Sequence, residues 1–96
     1  MSQFLKTCLY AITMYRNELI RSNNHEIAEA ISKETDRLSS SLKRSNSLTF
    51  SKNDENILRG FFADFEKGKK ISNHQLVIGA VRELADFYEK KVNGNI

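Results

Sequence analysis

Apolar residues recur three and four positions apart in four separate stretches of this chain, the spacing that gathers them on one face of an α-helix. The first stretch runs from about Gln3 to Arg21, with Leu5, Cys8, Leu9, Ile12, Tyr15 and Leu19 on that face and Ser2 placed as its cap. The second covers about residues 24 to 44. Asn23 is positioned to cap its first amides while Glu26 reaches back, and its seam is Ile27, Ile31, Leu38 and Leu42. That seam is thin, because Glu34 and Thr35 occupy its middle. The pattern sets Glu29, Lys33, Asp36 and Arg37 on the opposite, solvated face.

A serine-rich connection from Ser45 to Ser51 follows, and Ser51 with Asp54 three residues later signals another helix start. The third stretch, 52 to 67, is aromatic: Ile57, Leu58, Phe61, Phe62 and Phe65 crowd roughly one face before Gly68, read as a left-handed stop. For the fourth, 73 to 92, Ser72 with Gln75 reads as a capping box and Ile71 with Leu76 as a hydrophobic staple. Leu76, Val77, Ala80, Val81, Leu84, Phe87 and Tyr88 form its stripe, and Asn93-Gly94 closes it. Gly60 and Gly79 fall at matching distances on either side of the turn between the last two helices, which suggests close backbone contact at that height, space left beside the bulky phenylalanines, or simple tolerance.

Composition agrees with this pattern. The chain has 96 residues, no proline and only four glycines, so little punctuates a helix and one core is all it can build. The expected architecture is all-α, an antiparallel up-down four-helix bundle forming a single domain over residues 1–96. A helical hairpin with two looser helices, or a homodimer sharing a larger bundle, stays open because the second seam is weak. No internal repeat is evident. The stretch from Phe4 to Met14 is broken by Lys6 and Thr7 and has no basic lead-in, so it does not read as a signal peptide, and the expected location is a reducing cytoplasm.

Candidate chemistry is sparse. Cys8, the one cysteine, lies on the apolar face of the first helix, where burial makes a thiol a small hydrophobe with a raised pKa. The polar residues sit where an amphipathic helix places them in water, so no catalytic residue, cofactor or metal is expected. His25 and His74 open the second and fourth helices at one end of the bundle, without paired ligand spacing for a metal. That end also carries Arg21, Lys67, Lys69 and Lys70, and these six residues are the anion-binding candidates. Lys43, Arg44, Lys90 and Lys91 collect at the other end. Net charge is only +3 and most basic residues are interleaved with acids. That favours an acidic protein surface or an anionic membrane face over nucleic acid.

Phe61, Phe62 and Phe65 exceed what one narrow seam can hide, and with Tyr88 they are the candidate partner-binding residues. Leu48-Thr49-Phe50-Ser51, followed by Asp54, Glu55, Ile57 and Leu58, resembles the hydrophobic-x-Phe-Ser/Thr lead-in to an acidic-started helix in the immunity proteins of pediocin-like bacteriocins. These are small basic four-helix bundles that protect a producing bacterium from its own pore-forming peptide. The resemblance implies recognition through the C-terminal helix and tail of a membrane receptor complex occupied by the bacteriocin. The function expected is therefore a non-enzymatic protein-binding module of immunity or inhibitor type. The alternative is a small nucleic-acid-associated transcriptional or nucleoid regulator.

Overall fold

The computed structural model describes residues 3–43 and 50–94, apart from the side chain of Leu42. Four helices of 19 residues each follow one another, α1 (Gln3–Arg21), α2 (His25–Lys43), α3 (Lys52–Lys70) and α4 (His74–Val92). Ser2, Arg44, Leu48, Thr49 and the side chain of Leu42 lie outside the described residues.

The helices form an up-down-up-down bundle whose neighbours run in the order α1, α2, α4, α3 around the core. The backbones of α1 and α2, α2 and α4, and α3 and α4 pack together, and aromatic rings close the circle between α1 and α3. Consecutive helices are antiparallel, so α2 and α4 lie side by side in parallel. Their cross-links rise together along both helices, Glu34 to Arg82 and Arg37 to Asp86 and Glu89.

Each helix buries the face that its spacing marks. On α1 this is Leu5, Cys8, Ile12, Tyr15 and Leu19. Helix α4 is flanked by both α2 and α3 and buries a broader band, Val77, Ile78, Ala80, Val81, Leu84, Ala85 and Tyr88. The α3 aromatics are absorbed by their neighbours. Phe62 stacks on Phe65 at 5.5 Å and meets the edge of Phe4 at 5.9 Å, while Phe65 meets Tyr15 edge-on at 5.9 Å. Such ring pairs add about 0.5–1.5 kcal/mol each beyond the area they bury.

The two tight turns share one construction. Asn24 N–H donates to Leu19 and Asn23 N–H to Ile20; forty-nine residues on, Asn73 N–H donates to Gly68 and Ser72 N–H to Lys69. Asn23 and Ser72 hold the left-handed conformation, with φ of 65° and 57°. This is the paired bond pattern of a Schellman stop. The boundaries of the second hairpin repeat those of the first at a constant interval, Gln3 to Lys52, Arg21 to Lys70, His25 to His74 and Lys43 to Val92.

These turns revise three sequence expectations. Asn23 does not cap α2; its positive φ makes it the residue that stops α1. Ser72 does the same for α3, so Asn73 is the cap of α4, its side chain accepting from Leu76 N–H at 3.1 Å. The cap therefore sits one residue later than the spacing of Ser72 and Gln75 implies, and Ile71 falls out of staple position. Gly68 is not a stop either, because α3 continues through it to Lys70. It is buried where α3 crosses α4, and an added Cβ would lie 2.9 Å from Val77 Cγ2. At Gly60 and Gly79 nothing lies within 4 Å of such a Cβ, so the close approach is at Gly68 instead.

The capping box at the start of α3 forms as expected. Ser51 Oγ accepts from Asp54 N–H, and the Asp54 carboxylate accepts from Ser51 N–H, both at 3.0 Å. Asn93 and Gly94 end α4, with Gly94 left-handed at φ 75°. Among the described residues, no helix is long and apolar enough to cross a membrane.

Candidate functional site

Three regions gather side chains that could do something chemical. The first is the seam between α2 and α4, where sequence reasoning placed Arg37 on the solvated face. The structure turns it inward. Arg37 donates to Glu34 on its own helix, to Asp86, and to Glu89 at 3.3 Å, while Arg82 donates to the second Glu34 oxygen at 3.1 Å. The hydrogen bond to Asp86, followed by those to Glu34 and Glu89, holds the Arg37 guanidinium above its ordinary pKa against the opposing effect of burial. Glu34 is 6% exposed. The gap in the α2 seam is thus filled by charge rather than by hydrocarbon. Thr35 is buried too, its hydroxyl donating to Ile31 C=O at 2.7 Å. This region is an internal tie, and its outer rim is an open hollow lined by charges of both signs, among them Glu26, Glu29, Lys33 and Asp36.

The second region is the end where α2 and α4 begin. His74 is half-buried, with Nδ1 3.2 Å from the Tyr15 hydroxyl, which ties α1 to α4. Burial, then the nearby Glu18 charge, raises the Tyr15 pKa. His25 is exposed, and no hydrogen bond joins it to His74 among the described residues. The two histidines thus differ in setting, because the crossing of α1 and α4 brings a tyrosine to His74. Arg21, Lys67, Lys69 and Lys70 are all exposed. Lys67, Lys69 and Lys70 line one open depression on α3 with Ala63 and Glu66, and Lys69 Nζ stands 5.8 Å above the Phe65 ring. Among the described residues no cluster of three or more His, Cys, Asp or Glu could hold a metal ion.

The third region is the outer face of α3 and α4. Of the four candidate partner residues, Phe65 and Tyr88 are fully buried and cannot present a surface. Phe65 turns under α1 to Tyr15, and Tyr88 lies under Phe50, ring centroids 5.0 Å apart. Phe62 is half-buried between Phe4 and Phe65. Phe61 is half-buried as well and meets Phe87 on α4, ring centroids 6.4 Å apart. Together they line a groove of about 310 Å³ rimmed by Glu83, Asp86 and Lys90. Asp86 is engaged by Arg37, whereas Glu83 is exposed and makes no ion pair among the described residues.

Sequence reasoning missed the outward face of α1. Tyr10 is 68% exposed and Met14 40%, one turn apart, where the spacing showed only an inward stripe. It also missed the tie at the far end: Lys91 Nζ reaches Asp54 at 2.9 Å and lies 5.8 Å above the Phe50 ring. Lys91 is thus not a free cation of the second basic end. Cys8 is fully buried, and burial pushes its thiol up to about 12, as its place on the α1 face implied. No family model, curated protein or solved structure matches the chain.

Proposed function

We propose that this protein is a non-enzymatic binding module of immunity or inhibitor type that presents the α3/α4 face to a protein partner. The observation that carries this reading is the Phe61–Phe87 groove, an apolar floor with Glu83, exposed and without an ion pair among the described residues, on its rim. Its fitting occupant is an apolar side chain of the partner with a basic neighbour to meet Glu83. The non-enzymatic part is supported by the perturbed groups. Cys8, Tyr15, Arg37 and Asp54 owe their shifts to burial or ion pairing within the bundle, and they do not converge on one pocket.

The specific form we propose is immunity to a pediocin-like pore-forming peptide, exercised at a membrane receptor complex. Support comes from the residues that carry the resemblance. Phe50, Ser51 and Asp54 fasten the start of α3 to Tyr88 and Lys91, so this lead-in holds the C-terminal part of α4 in place. Expressing the protein in bacteria killed by such a peptide tests the reading. Survival should rise, and Glu83→Lys or Phe87→Asp should remove the gain while helicity is kept. Equal killing with and without the protein contradicts the immunity form; full protection by both variants contradicts the groove.

A further inference from the structure

The tip of the α3–α4 hairpin carries an apolar residue that the fold does not use. Ile71 is the C-cap of α3 and is 57% exposed. A Schellman stop usually pairs the second residue past the cap with one in the last helical turn through an apolar contact. Here those positions are Asn73 and Gly68, so Ile71 has no part in it. With Asn73 as the cap of α4, Ile71 is also one place too early to act as a staple. Its exposure therefore comes from a rigid turn, held by Ile71 N–H to Lys67 C=O at 3.0 Å and Asn73 N–H to Gly68 C=O at 2.8 Å.

Around this residue stand Lys67, Lys69 and Lys70, all exposed and without an ion pair among the described residues. The α1–α2 turn at the same end adds Ile20, 43% exposed, beside Arg21. The bundle measures 39 × 22 × 21 Å, so the end that carries both turns is compact. We propose that this end is a docking surface for an anionic lipid bilayer, with Ile71 entering the headgroup boundary and Lys67, Lys69 and Lys70 meeting the phosphates.

Apolar insertion combined with cationic attraction is the physical basis of interfacial binding. A lysine held near an anionic bilayer strengthens binding by about fivefold, and salt screens the effect. The lysines alone would suit any polyanion. Ile71 decides between them, since an aliphatic tip gains by leaving water at a bilayer and has nothing comparable to enter on a phosphodiester backbone. The surface is separate from the Phe61–Phe87 groove, which lies toward the other end of α4, so the inference holds whatever protein that groove accepts.

Co-sedimentation with vesicles of phosphatidylglycerol and phosphatidylcholine (1:1), and of phosphatidylcholine alone, tests this directly. Binding should require phosphatidylglycerol and decline with added salt. Replacing all three lysines by glutamine should weaken it about a hundredfold, and Ile71→Ser about tenfold. All of these side chains are exposed, so helicity measured by circular dichroism should not change. The chain has no tryptophan, which makes Ile71→Trp a single reporter whose emission should shift to the blue with the anionic vesicles only. Absence of vesicle binding overturns the proposal, as does binding with unshifted emission and no loss in Ile71→Ser. Lysine-dependent capture of a DNA duplex without vesicle binding likewise overturns it and returns the tip to the nucleic-acid reading.

Discussion

A Cβ placed on Gly68 would stand 2.9 Å from Val77 Cγ2 and 3.0 Å from the Val77 backbone nitrogen, so α3 and α4 touch through the absence of a side chain. Asn73 C=O, at 3.2 Å, closes the third side. Two of these three neighbours are backbone atoms fixed by the turn and cannot rotate away.

The glycines consequently separate by sign. Within a helix, glycine to alanine gains about 1 kcal/mol of propensity. At Gly60 and Gly79 nothing opposes that gain, and each alanine variant should be more stable by about 0.5–1 kcal/mol. Gly68→Ala should lose about 2 kcal/mol, since overpacking at a fixed crossing exceeds the propensity gain. Urea denaturation of the three variants checks this; a stabilised Gly68→Ala would mean that the hairpin is looser than described.

Arg37 and Glu34 act as a pair in the same way that Gly68 and Val77 do. Removing Arg37 leaves the buried Glu34 carboxylate with only Arg82, whose side chain is largely in water. Arg37→Met should cost about 2 kcal/mol, less than for a fully buried pair because the guanidinium is itself one-third exposed. Glu34→Leu combined with Arg37→Met should cost clearly less than the two single changes added together. Strict additivity in chemical denaturation would show that the network contributes nothing to the α2–α4 seam.

Asp54 gives the bundle a dependence on pH at its other end. The Lys91 ammonium first, and the Ser51 backbone N–H next, hold its carboxyl below the ordinary 3.8. A depressed carboxylate stabilises the fold fully above its unfolded pKa, and that contribution is lost as pH falls through the lower folded value. Asp54→Asn should therefore melt below the wild type at pH 7, with the difference closing on titration to below pH 3.8. A difference that stays constant throughout would exclude the carboxylate as its source.

Cys8 should behave as a core atom rather than a reagent. With its thiol fully buried and pushed up to about 12, the native protein should resist alkylation by iodoacetamide at pH 8 and react fully in denaturant. Rapid native labelling would place α1 in frequent exchange with an open state.

Much of this architecture could be read from spacing. The limits of α1, the capping box of Ser51 and Asp54, and the apolar stripes of α1 and α4 follow from local chemistry, which needs no neighbour to decide it. The turns were less legible because Ser and Asn serve both as helix caps and, in the Asn23 and Ser72 positions, as left-handed stops. Adjacent Ser72 and Asn73 divide those two tasks, and sequence does not say which takes which. Gly68 looked like a stop because glycine usually ends a helix, whereas here the crossing with Val77 is what requires it.

The candidate site was harder to read for a different reason. Phe61, Phe62 and Phe65 lie within five positions, and only the rotation of α3 decides that Phe65 faces Tyr15 while Phe61 meets Phe87. The Arg37 network depends on α2 lying beside α4, an adjacency set by the order of all four helices. Tyr10 and Met14 interrupt an otherwise polar face of α1 and could have been noticed as such.

The central question is whether the α3/α4 groove holds a protein. Tagged wild-type protein and Glu83→Lys, captured side by side from nuclease-treated lysate of the source cells and compared by mass spectrometry, test it most directly. The wild type should hold one discrete protein that the variant releases, with both equally helical. The same proteins on both baits, or the loss of every partner with nuclease, would contradict it.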